Sequence, residues 1–224
     1  MTVAGTRGRR DERTFARGRG SVRSRWIVRT LVGELLGFAI PGTVGATAAA
    51  LGAGPVLLAT LVVVAGAGEG YVLGAAQAPV LVDVLPGLRG GEWRRATALG
   101  AVLAWALGMG ASGVRDLPGA PPVALLILLA AVMGVAGLLA LPVAQWRVLR
   151  GRLPRAGRWI PGTAGAWALA VLLCVAVVSI GIGPGTPLAA AIAIGLLGGA
   201  VMAATIAVLT GWLLVAMLAG RDAG

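Results

Sequence analysis

The chain has 224 residues, 58% of them hydrophobic and 12% charged, with a formal net charge of +11. A soluble domain of this size needs a charged surface that is missing here, and several apolar runs reach the roughly 20 residues that cross a hydrocarbon core of about 30 Å. Composition thus excludes a soluble globular protein and predicts an all-α, polytopic, multi-pass integral membrane protein.

The residue inventory narrows the chemistry. Histidine is absent, which removes the commonest metal ligand and the usual base near neutral pH. Cys174 is the single cysteine, so neither an internal disulfide nor a cysteine metal cluster can form. No nucleotide-binding loop is present, and "GAGEG" lies inside an apolar run with no strand before it. Ser112 and Ser179 have no base beside them in sequence. No cofactor and no enzymatic activity is expected. All 19 basic residues are Arg, and with the abundance of Ala, Gly and Val this is the composition of a GC-rich bacterial genome.

In chain order, residues 1–25, "MTVAGTRGRRDERTFARGRGSVRSR", contain no apolar core of a signal peptide and predict a basic, disordered cytoplasmic arm. Such an arm can fix topology, meet anionic lipid headgroups or bind nucleic acid, and the first role is the simplest. Six spans follow, at about 27–52, 56–82, 95–113, 122–146, 160–182 and 188–219. The first-to-second and fifth-to-sixth connections, "LGAGP" and "GIGPGTP", are short and uncharged. Arg89, Arg94 and Arg95 lie in or beside the second connection and Arg147, Arg150, Arg152, Arg155 and Arg158 in or beside the fourth. With six spans these fall on the same side as the N-terminal arginines and Arg221, and only Arg115 is opposite. The positive-inside rule places both termini on the cytoplasmic side of the inner (plasma) membrane.

A repeat runs through the spans. Trp26, Trp93 and Trp159 each enter the membrane from the Arg-rich side, about 66 residues apart, and each is followed four residues later by Thr30, Thr97 or Thr163. The second helix of each unit carries Gln77, Gln145 or Thr210, with Gly66, Gly134 or Gly199 eleven residues earlier. Three helical hairpins are predicted, at 26–92, 93–158 and 159–224. The tryptophans read as interfacial anchors. Small residues four apart read as packing seams: Gly66, Gly70 and Gly74 in one helix, and Gly195, Gly199, Ala203, Ala207 and Gly211 in another. Eleven residues at 100° each return to within about 20° of the same face, so Gln77 and Gln145 should point along the seam and bond across it.

Two acids break the repeat. Glu34 and Glu69 belong to the first hairpin, and their counterparts are Ala101 and Trp167, and Gly137 and Met202. A charged side chain at mid-span costs at least about 2.5–3.5 kcal/mol, so an acid there calls for an explanation. Three readings stay open. Glu34 and Glu69, with Gln77 and Tyr71, could line a path for a proton, cation or cationic solute; protonated carboxyls could bond neighbouring helices; or the acids could face a partner membrane protein. Pro41, Pro79 and Pro142 are expected to kink helices or free carbonyls nearby.

The strings "GEGYVLGAAQAPVL" and "VAQWRVLR" resemble a pattern in uncharacterised bacterial multi-pass membrane proteins, G-x-x-Q-W-x-V-L-R, repeated along the chain. The first copy departs from it at Ala78 and Pro79, where the second has Trp146 and Arg147. The resemblance implies a repeated membrane scaffold and no activity. The leading functional expectation is a small proton- or cation-coupled transporter centred on Glu69. Its rival is a non-transporting scaffold or regulatory subunit of a larger complex. An acid facing other helices of its own chain separates the first from the second.

Overall fold

The computed structural model describes residues 4–113 and 122–221. They form six helices and no strand: α1 (Ala4–Ala50), α2 (Pro55–Val84), α3 (Gly90–Gly113), α4 (Val123–Leu149), α5 (Trp159–Gly181) and α6 (Leu188–Arg221). A turn of 3-10 helix at Ala156–Arg158 leads into α5. Among the described residues, α1 from Gly20, α2, α4, α5 and α6 are long and apolar enough to cross a membrane. Helix α3 is not one of these five; it opens on Glu92, Arg94 and Arg95. Large apolar side chains such as Leu36, Val64, Ile127, Leu172 and Leu196 stand exposed on the outside, as contact with a lipid bilayer requires.

Local chemistry sets the helix ends. Pro55 occupies the first turn of α2, where a missing N–H does no harm. The turns between helices use Gly52, Gly87 and Gly185 at positive φ, a conformation without steric cost only for glycine. The N-terminal arm departs from expectation: α1 runs back to Ala4, so the segment read as disordered continues the membrane helix. Arg is a good helix former and no proline precedes Pro41, so nothing in the sequence stops the helix at the membrane surface. Helices α2 to α6 fall near the expected positions, and of these α2, α4, α5 and α6 are long and apolar enough to cross a membrane. Arg115 lies outside the described residues.

Each helix packs on the next in sequence, and α6 returns to α1, closing a ring. The α4–α5 junction is its most sparsely packed neighbour contact. At one end Arg25 pairs with Asp83 at 2.6 Å and Arg152 with Glu92 at 2.8 Å. There too Arg221 donates to the Val84 carbonyl at 2.9 Å. These contacts gather the inner part of α1, the α2–α3 and α4–α5 connections and the end of α6 into one Arg-rich end. The densest apolar core lies there, around Trp26, Leu81, Leu85, Trp93, Leu149, Trp159 and Leu214.

Close backbone approach joins α2 to α3. A Cβ added at Gly70 would lie 2.7 Å from the Thr97 carbonyl oxygen and 2.8 Å from Ala98 Cα, and one at Gly74 would lie 2.9 Å from Arg94 Cα. The expected seam in α6 is only half right. Ala203, Ala207 and Gly211 are buried, whereas a Cβ at Gly195 or Gly199 meets nothing. A four-residue ladder precesses by about 40° per step, so a row that long turns away from any one neighbour. Gly198 packs on Cys174 of α5 instead, and Gly211 on Trp26 and Ile27 of α1. Gly134 likewise packs on nothing.

Gly70→Ala is therefore expected to lower stability by about 1–3 kcal/mol, because two helix backbones must separate. Gly195→Ala should stay within about 0.5 kcal/mol of the parent. Thermal unfolding of both variants in detergent checks the contrast.

Candidate functional site

The three repeated tryptophans are not lipid-facing anchors. Trp26 and Trp93 are 0% exposed and Trp159 is 1% exposed. Their rings meet edge to face in all three pairings, with centroids 6.0–6.4 Å apart. Each such aromatic pair is worth about 0.5–1.5 kcal/mol beyond its buried area. The sequence reading placed them at the headgroups because Trp is amphipathic; here each indole N–H finds a partner inside the ring, so no lipid contact is needed.

Those partners form a belt around the ring. Trp93 Nε1 donates to Gln77 Oε1 and Trp159 Nε1 to Gln145 Oε1, both at 3.0 Å. Gln77 Nε2 donates to Thr30 Oγ1 at 3.3 Å and Gln145 Nε2 to Thr97 Oγ1 at 3.1 Å. Trp26 Nε1 joins α1 to α6 by donating to Thr210 Oγ1 at 2.9 Å, and the belt stays open between α5 and α6. Thr210 is too short to pass the bond on as the glutamines do. Its hydroxyl donates back to the Ile206 carbonyl, and buried Thr163 Oγ1 has no partner. Gln77 and Gln145 thus join helices, and Gln77 does not line the cavity described below. Tyr71 is also absent from the site: it is half exposed, with the Arg94 guanidinium 5.7 Å from its ring centre.

Beyond the belt lie the two acids. Thr30 and Glu34 follow Trp26 at four-residue steps along α1, and Glu34 is fully buried with no hydrogen-bond partner on either carboxyl oxygen. Gly37, three residues further along α1, packs directly against Glu69 of α2. Glu69, 4% exposed, accepts from Trp105 Nε1 of α3 at 2.5 Å. Two glycines make room for this pair. A Cβ at Gly37 would lie 3.2 Å from Glu69 Cγ, and one at Gly66 would overlap the Trp105 ring.

Glu69 and Trp105 border a cavity of about 720 Å³. Its other walls are Phe38 of α1, Ala101, Ala104 and Gly108 of α3, Met133, Gly134, Gly137, Leu138 and Leu141 of α4, and Trp167, Ala168, Val171 and Leu172 of α5. Among the described residues Glu69 is its single ionisable lining residue. This size suits a ligand of a few hundred daltons. Gly134, expected to pack a seam, is a wall of this space.

Sequence reasoning found both acids but missed Trp105 and Phe38 and took Trp167 only as a counterpart of Glu34. A signal was present. The four-residue ladder continues as Trp26, Thr30, Glu34, Phe38; as Trp93, Thr97, Ala101, Trp105; and as Trp159, Thr163, Trp167, Val171. Its later rungs line the cavity or flank it.

The belt makes a paired prediction. Thr163→Val removes a buried hydroxyl that has no partner and is expected to raise stability by about 1 kcal/mol. Thr97→Val strands the Gln145 amide and should lower it by about 1–2 kcal/mol. Equal losses in the two variants, measured by thermal unfolding, would contradict the belt. No family model matches this chain, nor does any curated protein or solved structure.

Proposed function

We propose that this chain is a small integral membrane carrier in which Glu69 binds the proton or cation that is moved or that drives movement, with Glu34 as its neighbour. One observation carries the reading. Glu69 is buried against α3 of its own chain, beside a cavity, and among the described residues no Arg lines that cavity to neutralise it. An acid kept to recruit a partner subunit would stand on an outer flank. A carboxyl retained only to join helices would not border a cavity of this size. Intramembrane acids of this kind typically mark ion or substrate pathways.

The proposal includes six crossings in three repeated hairpins. The three tryptophans, their acceptors and the threonines beneath them support that reading, since each set recurs at equivalent positions around the ring. The clustering of Arg at one end supports termini on the cytoplasmic side of the inner membrane, where the basic end meets anionic headgroups.

Purified protein in liposomes with an internal pH dye, placed under imposed proton and sodium gradients, tests the carrier reading. The parent is expected to pass ions, and Glu69→Gln to lose about nine-tenths or more of that flux while keeping its unfolding temperature. Equal flux in parent and variant, or none in either, would defeat it.

A further inference from the structure

The cavity beside Glu69 has a chemical character that narrows what it holds. Among the described residues its single ionisable wall residue is a carboxyl, and no Arg lines it. Three of the chain's ten aromatic residues, Phe38, Trp105 and Trp167, stand around it. Phe38 and Trp167 lie with ring centres 6.1 Å apart at 57°, and Trp105 directs its indole N–H at the carboxyl. Aromatic faces carry negative quadrupole potential and attract cations most strongly where water is excluded. A carboxyl with aromatic neighbours in an otherwise apolar space is complementary to a cation whose charge is carried on a bulky apolar body.

The route in is lateral. Walls of the cavity come from both α4 and α5, and this junction is the sparsest in the ring. Val171 and Leu172 of α5 line the cavity and are 41% and 66% exposed, so the space is open and not sealed beside this junction. The opposite, Arg-rich end is filled by the three tryptophans packed edge to face. A solute confined to water would meet that plug and the positive charge around it, whereas an amphiphile dissolved in the bilayer meets the α4–α5 opening directly.

We infer that the cavity is a binding site for lipophilic organic cations, which enter from the bilayer between α4 and α5 and set their charge against Glu69 and the rings of Phe38, Trp105 and Trp167. The inference rests on the reading of Glu69 as the cation-binding group and names the class of cation. A proton and such a cation would compete for the one carboxyl, which supplies a means of coupling without a second site.

The test uses two probes of nearly the same shape and opposite charge, tetraphenylphosphonium and tetraphenylborate. Binding of each to the purified full-length protein in detergent is measured by equilibrium dialysis. Tetraphenylphosphonium should bind and tetraphenylborate should not. Glu69→Gln should weaken the cation about tenfold or more, and Trp167→Leu about threefold to tenfold. Ala104→Leu fills the cavity with the carboxyl left in place and should also weaken it, while Trp212→Leu on the outer surface should not. Equal binding of both probes, or unchanged cation affinity in the folded Glu69→Gln and Ala104→Leu variants, overturns the inference; a lipid chain merely filling the space would give that result. Glu69-dependent ion flux without tetraphenylphosphonium binding overturns the substrate class and leaves the carrier standing. Cation binding without flux supports the site and defeats the carrier.

Discussion

Hydrocarbon offers no hydrogen bonds, so a polar group inside a membrane protein must find its partner within the protein. The belt of tryptophan, glutamine and threonine meets that requirement at the Arg-rich end, and the rest of the ring is arranged around it. Lipid tails are as apolar as leucine, so burial of leucine gives little reason for helices to associate there. Amide-to-hydroxyl bonds tie α1 to α2 and α3 to α4, and indole-to-amide bonds tie α2 to α3 and α4 to α5, each of modest strength. Indole rings packed edge to face fill the space between them. This fixes the radius of the ring at one end and leaves the other end free to hold a cavity.

Glycine placement then decides where the acids sit. The close approach of α2 and α3 at Gly70 and Gly74 holds Glu69 facing α3, and the missing side chain at Gly66 gives the Trp105 indole its place. The same residue type serves two purposes along one helix, tight contact at one level and accommodation of a ring at the next. In α4 it serves a third, since Gly134 and Gly137 widen the cavity wall. An intramembrane carboxyl costs several kcal/mol in isolation, and one hydrogen bond from an indole offsets only part of that. Glu34 has none at all, so α1 and α2 carry a burden that the other helices do not.

The helices were legible because apolar runs of span length leave few alternatives, and their ends followed from proline, glycine and arginine. The belt was half legible. Spacing put Gln77, Gln145 and the threonines on packed faces, but spacing does not say whether Trp26 turns outward to lipid or inward to its counterparts. Both orientations suit an amphipathic ring, and only the positions of the acceptors decide between them. Small-residue ladders misled in α6 because a row of residues four apart drifts around the helix. Tyr71 misled for the opposite reason: a polar side chain near an acid in sequence need not share its face. The aromatic walls of the cavity come from three different helices, so no single stretch of sequence displayed them together.

The ring closes between its first and last helices, and this has a consequence for synthesis. Trp93 and Trp159 find their acceptors 16 and 14 residues away in the preceding helix, so each is satisfied as soon as its own helix enters the membrane. Trp26 bonds to Thr210, 184 residues later. Its indole therefore waits for its acceptor until α6 has been made. The weaker member of the belt, with a threonine where the others have glutamine, stands at this final junction. A nascent chain interrupted before α6 would hold an open arc of helices, with its aromatic core facing lipid, and quality control in the membrane would meet it in that form.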